Sequence, residues 1–184
     1  MDYGFSGYYR QHPSIPPTLS QILERWTGEP KKTVFLLINK YGLPNDASLT
    51  KITWFNNGPW KRTIVHQHTV LHNSPTPHLD YLEQTIDYRV PVQYFDDLAR
   101  FDGSLYPDRT AGEASAKCDQ EAANFMALNL MDDIVTGKRT VEDSRRAAEE
   151  IEKAFRLKGQ YSPYTQGFLF PKQFHTADPD VASF

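Results

Sequence analysis

Cysteine is almost absent from this chain. Cys118 stands alone among 184 residues, so no intrachain disulfide can form and no metal can be held by thiolates alone. Long apolar runs are missing too. The longest, Val34-Phe35-Leu36-Leu37-Ile38, falls far short of the roughly 20 residues of a membrane helix. Met1-Asp2-Tyr3-Gly4 offers neither the basic flank nor the apolar core of an export signal. These absences predict a soluble, cytoplasmic protein with no membrane partner. Nucleotide and serine-hydrolase signatures are lacking as well. Thr136-Gly137-Lys138-Arg139-Thr140 has no upstream glycine and no Gly-Lys-Ser/Thr ending, and neither Gly-x-Gly-x-x-Gly nor Gly-x-Ser-x-Gly occurs.

Basic excess is the last thing missing. The net charge is −3, with 8 Lys/Arg against 4 Asp/Glu in residues 1–75 and 12 against 19 in residues 76–184, or +4 and −7. A duplex binder concentrates positive charge on one face. Trp54, Phe55, Trp60, Lys61 and Arg62 do cluster in sequence, a composition suited to stacking on single strands, but strand aromatics of this size ordinarily build the core. Nucleic acid is therefore a disfavoured partner.

What is present suits one globular core: 39% hydrophobic and 13% aromatic residues without internal repeat or flexible linker. The chain reads as a single domain, 1–184, carrying two arms, residues 1–17 and 159–184. Together they hold 10 of the 24 aromatics in 43 residues, among them Tyr8, Tyr9, Phe168 and Phe170. Disordered tails are poor in aromatics, so the arms are expected to pack as extended wraps on their own core or on a neighbouring subunit. The second alternative would make a homodimer.

Between the arms the expected class is α+β: a small antiparallel sheet packed by four to six helices. Helices are predicted over 18–26, closed by Gly28, and over 30–41, closed by Gly42 and Pro44. Residues 50–56 and 60–70 read as a hairpin around Asn56-Asn57-Gly58-Pro59. Pro77 and Pro91 are each taken as a first-turn residue, giving helices over 77–88 and 91–101. Residues 104–110 form a candidate third strand, held to an edge by Pro107. Residues 119–135 are apolar on nearly every side, as in a buried central helix. Thr140 followed by Asp143 opens a last helix in capping-box style. Asn124 and Asn129 interrupt the buried helix and need partners there, since an unpaired buried amide costs about 1–3 kcal/mol. Tying down irregular backbone such as an arm is the favoured role.

The histidines carry the chemistry. Strand alternation over residues 60–70 sets Trp60, Arg62, Ile64, His66, His68 and Val70 on one face. That face makes Trp60, Arg62, His66 and His68 candidate lining residues of a groove for a small anionic ligand, with Arg62 holding the anion bidentately. An accessory or small-ligand-binding protein is the leading reading. The alternative is a metal-dependent hydrolase. His66 and His68, two residues apart on a strand, stand close enough to share one ion, and His72, His78 and Asp80 could add ligands for a divalent transition metal such as zinc. The spacing matches no established zinc signature. A third possibility is a purely structural or interaction role using the arms. Finally, Cys118 precedes the predicted helix at 119–135, whose dipole would favour a thiolate nucleophile. Asp119 and Glu121 oppose it, and the partner base would have to be a distant His66 or His175.

Overall fold

The computed structural model of the protein describes residues 17–184, apart from the side chains of Pro17 and Arg156. The expected N-terminal arm, residues 1–17, lies outside that range except for Pro17. The chain runs α1 (Pro17–Glu24), α2 (Gly28–Tyr41), β1 (Asp46–Ala47), β2 (Lys51–Asn57), β3 (Trp60–His72) and β4 (His78–Asp87). It continues with α3 (Phe95–Phe101), β5 (Leu105–Asp108), β6 (Glu113–Cys118), α4 (Glu121–Val135) and α5 (Val141–Lys158), with 3-10 turns at Val92–Tyr94 and Pro163–Thr165. All six strands form one antiparallel sheet in the order β1-β2-β3-β4-β6-β5. Among the described residues no helix is long and apolar enough to cross a membrane.

The fold is α+β, but the sheet is much larger than the hairpin and edge strand expected from composition. Two segments account for the difference. Residues 77–88, predicted helical from Pro77, are the strand β4, sandwiched between β3 and β6. Its Tyr81, Leu82, Thr85 and Ile86 have strand propensity. Pairing on both edges then outweighs a proline that could equally start a strand. Residues 113–118, Glu-Ala-Ser-Ala-Lys-Cys, carry almost no strand propensity, yet they form β6. Ala114 and Ala116 are fully buried beneath α4. Small side chains at those positions let the helix approach the sheet. Their signal is one of close packing rather than of propensity.

Val65, Leu82 and Cys118 form one row across β3, β4 and β6, and Val65 and Leu82 pack with Ile52 against Val34 and Ile38 of α2. This is the helix-covered face. Ile64, Glu83 and Lys117 form the neighbouring row on the opposite face. There His66 Nε2 lies 2.8 Å from Glu83 Oε2 and Arg62 Nη2 donates to Glu113 Oε2 at 2.9 Å.

The central helix α4 is anchored at its first residue. Glu121 Oε1 accepts from Trp60 Nε1 at 2.6 Å, from Gln84 Nε2 at 3.2 Å and from the Tyr41 hydroxyl, while Oε2 accepts from Lys40 Nζ. Four donors from α2, β3 and β4 thus meet one carboxylate at the helix N-terminus, where negative charge also suits the helix dipole. At the other end Asn129 holds the C-terminal arm. Its Nδ2 donates to the carbonyls of Tyr164 and Gly167 at 3.0 and 2.8 Å, and its Oδ1 accepts from the Leu169 amide at 2.8 Å. Phe168 and Phe170 then pack on the core beside Trp60, Phe125 and Tyr88. This arm therefore lies on its own core. Further along, it crosses Gly112, whose φ is +65° and at which an added Cβ would sit 2.2 Å from the Thr176 backbone.

Two outcomes follow from these anchors. Glu121→Ala leaves the buried Trp60 indole N–H without its acceptor and strips Gln84 Nε2 of one of its two, and should cost about 3 kcal/mol in denaturant unfolding. Burial raises the Glu121 carboxyl, but Lys40, Tyr41 and Trp60 outweigh it and hold it below its ordinary value of 4.5. Its contribution is thus complete above pH 4.5 and disappears as pH falls through the lower folded value, so Glu121→Gln should flatten the acid limb of the stability profile. Gly112→Ala should detach the end of the arm without unfolding the sheet, read as faster proteolysis beyond residue 175 at unchanged helix content.

Candidate metal centre

The histidines of β3 are divided by an irregularity in the strand. Val65 pairs with Leu82 and Val70 with Asp80, so residues 66–69 of β3 face a single residue, Tyr81, of β4. The surplus is odd in number. Because side chains alternate faces along a strand, His72 emerges on the helix-covered face, paired with His78, whereas His66 stays on the other with Glu83.

The candidate groove is consequently dispersed. Trp60 is 1% exposed and inserted between Phe125 and Phe168. Arg62 is engaged by Glu113 and His66 by Glu83. His68 is exposed further along the strand. These four side chains do not line one hollow. Of the five candidate metal ligands, His66 and His68 stand apart and His72, His78 and Asp80 converge, with their ligating atoms all within 4.8 Å of one another.

The convergent site has a dry floor. Asp80 is 1% exposed, with Oδ1 3.1 Å from His78 Nε2 and Oδ2 3.4 Å from His72 Nδ1. Asp80 Oδ1 is ion-paired with the His78 ring, whereas His72 Nδ1 is a buried polar atom without a hydrogen bond. Such atoms are rare in native interiors because each forfeits its hydration. The rings of His72 and His78 lie 5.0 Å apart. On the outer side of the cluster, His78 Nδ1 lies 2.7 Å from the Thr76 carbonyl. A donated N–H there turns Nε2 toward Asp80 and Cys118, so that once the ring gives up its second proton the Nε2 lone pair points into the cluster, with the Thr76 carbonyl holding the ring's direction. Ser104 donates its hydroxyl to Asp80 Oδ2, and its amide donates to Asp102 Oδ1 at 2.8 Å. Asp102 in turn sits 3.8 Å from His72 Nε2. A cavity of about 40 Å³ adjoins the cluster, lined in part by His72, His78, Asp102, Cys118, Asn124 and Glu152.

Charge explains what the site can do. The contact with Asp80 raises His78 to about 9 against the opposing effect of burial, and burial raises the Asp102 carboxyl. Cys118 is not at the mouth of a helix but is the last residue of β6, with Sγ 3.2 Å from His78 Nε2. Burial first, then the charges of Asp119, Asp80 and Asp102, push its thiol well above its usual value. A thiolate nucleophile is thus opposed by the same carboxylates that would favour a cation. The partner imidazole is His78, neither His66 nor His175.

The sequence does not mark Ser104 or Asp102 as part of the cluster, because nothing local couples either of them to Asp80. Asn124 donates to the Leu82 carbonyl and to Gln84 Oε1, both at 3.0 Å, so it ties α4 to β4 rather than to an arm. Compared with known proteins, the chain matches no protein-family model, no curated protein and no solved structure.

The thiol's surroundings give a direct readout. In the native metal-free protein, Cys118 should react with iodoacetamide at pH 7 clearly more slowly than free cysteine, because burial and the neighbouring carboxylates disfavour the thiolate. Unfolding in guanidinium should remove the difference.

Proposed function

We propose that this protein is a divalent transition-metal-binding protein, with His72 Nδ1, His78 Nε2 and the Asp80 carboxylate as ligands for an ion of the zinc class. The observation that carries the reading is the convergence on Asp80: a carboxylate 1% exposed between two imidazoles, one of which, His72, has its inward Nδ1 buried without a hydrogen bond. Leaving a polar atom in that state costs about 1–3 kcal/mol, more for a charged one. A cation between the three side chains would give His72 Nδ1 its partner. Two imidazoles and a carboxylate match the donor preferences of Zn, Co and Fe(II) better than those of Mg or Ca, which favour oxygen.

The outer partners support the same reading. Thr76 orients His78, Ser104 holds Asp80, and Asp102 stands beside the second nitrogen of His72. Carboxylates and carbonyls of this kind make imidazole ligands more basic and fix their direction. The anionic-ligand groove has less behind it, since Arg62 and His66 already have carboxylate partners. A hydrolytic centre would need, besides the ion, a coordination position kept for water.

Protein prepared without a histidine tag, stripped of metal and dialysed against zinc, should retain about one equivalent by elemental analysis, as one site requires. His72→Ala, His78→Ala and Asp80→Ala should each weaken binding by more than the roughly 10- to 100-fold that losing an outer-shell partner costs. Full zinc retention by all three variants, or none by the wild type, would reject the reading.

A further inference from the structure

We infer that Cys118 supplies the fourth ligand, so that His72, His78, Asp80 and Cys118 close a tetrahedral site joining strands β3, β4 and β6. The inference rests on the metal-binding reading above and adds to it the coordination number, the class of ion and the role of the ion.

Part of a tetrahedron's geometry is in place: three contacts lie near edge length, while Cys118 Sγ touches His78 and stands outside the group His72, His78 and Asp80 whose ligating atoms are within 4.8 Å of one another. Zinc bonds of about 2.05 Å to nitrogen or oxygen and about 2.3 Å to sulfur imply edges of about 3.3 Å between nitrogen and oxygen and about 3.6 Å between nitrogen and sulfur. The structure shows 3.1 Å for His78 Nε2 to Asp80 Oδ1, 3.4 Å for His72 Nδ1 to Asp80 Oδ2 and 3.2 Å for His78 Nε2 to Cys118 Sγ. Because the two imidazoles meet different oxygens of Asp80, coordination by one oxygen requires the carboxylate to turn and the two imidazoles and the thiol to draw in around it.

Topology puts the thiol there for a reason. Cys118 pairs with Leu82 in the ladder between β4 and β6, on the same face as Asp80 two residues along β4. The buried Nδ1 of His72, which has no hydrogen bond, is a further sign that the centre of the cluster calls for an ion. On coordination the Cys118 thiol and the His78 imidazolium each give a proton to solvent, the sulfur–hydrogen and Nε2–hydrogen bonds being exchanged for bonds to the metal, with no change of oxidation state.

Three consequences follow. Four protein ligands leave no position for a reactive water, so the ion acts as a structural clamp and not as a hydrolytic centre. A thiolate beside two imidazoles selects zinc or cobalt(II) over magnesium, calcium or manganese. The clamp joins three neighbouring strands at the end of β3 where the strand irregularity has interrupted the backbone ladder.

Cobalt(II) titration of the full-length metal-free protein tests the inference. Because Cys118 is the chain's single cysteine, a near-ultraviolet sulfur-to-cobalt charge-transfer band in the wild type can come from no other residue. The expected result is that band, with the strong visible absorption of four-coordinate cobalt, saturating at one equivalent. Cys118→Ser should lose the charge-transfer band and bind cobalt at least tenfold more weakly. One equivalent bound by the wild type without the band overturns the fourth ligand and leaves the metal site standing. No cobalt retained by the wild type in equilibrium dialysis overturns both. The wild-type spectrum decides the matter even if Cys118→Ser fails to fold.

Discussion

The carboxylate of Glu121 is the point on which this architecture turns. A helix as apolar as α4 can satisfy its hydrophobic surface in several orientations, because dispersion and burial are nearly indifferent to rotation about the helix axis. A charge-assisted hydrogen bond has a direction. By gathering donors from Trp60, Gln84, Tyr41 and Lys40, Glu121 fixes where α4 begins and how it is turned. Asn124, one turn on, then faces β4, and Ala123 and Ala127 face the cavity beside the histidines. Trp60 completes the arrangement by serving twice. Its indole nitrogen finds Glu121 and its ring packs on Phe125 and Phe168, joining the sheet, the helix and the C-terminal arm in one contact set.

How much of this the amino-acid pattern reveals depends on whether a signal is local. The helices α2, α4 and α5 announce themselves through periodicity, caps and closing glycines; Thr140 does accept the Asp143 amide, at 3.1 Å. The hairpin of β2 and β3 is equally visible. β4 and β6 are not, because what makes them strands is each other: β6 has alanines where α4 needs room, and β4 has a leading proline that resembles a helix start. Nothing within six or ten residues distinguishes these cases. Long-range pairing decides them.

The candidate centre divides along the same line. His72, His78 and Asp80 are recognisable as potential ligands from their spacing. Their separation from His66 and His68 is not, since simple alternation places all the even-numbered residues of β3 together. Asp102 and Ser104, from the connection between α3 and β5, and Cys118, from the end of β6, lie on two other stretches of chain and join the cluster only through the pairing of β4 with β6 and β6 with β5. Asn129 shows the reverse situation. A buried amide in an apolar helix implies irregular backbone nearby, and the turn at Tyr164 to Leu169 is what it holds.

The odd surplus of residues opposite Tyr81 has an evolutionary corollary. Insertions or deletions within residues 66–69 are not graded in effect by their size but by their parity: losing two residues keeps His72 facing Asp80, whereas losing one turns it to the far side of the sheet. Among descendants of this sequence, drift in the length of that segment should therefore proceed in steps of two wherever the histidine cluster is under selection, and singly only where the cluster has been abandoned.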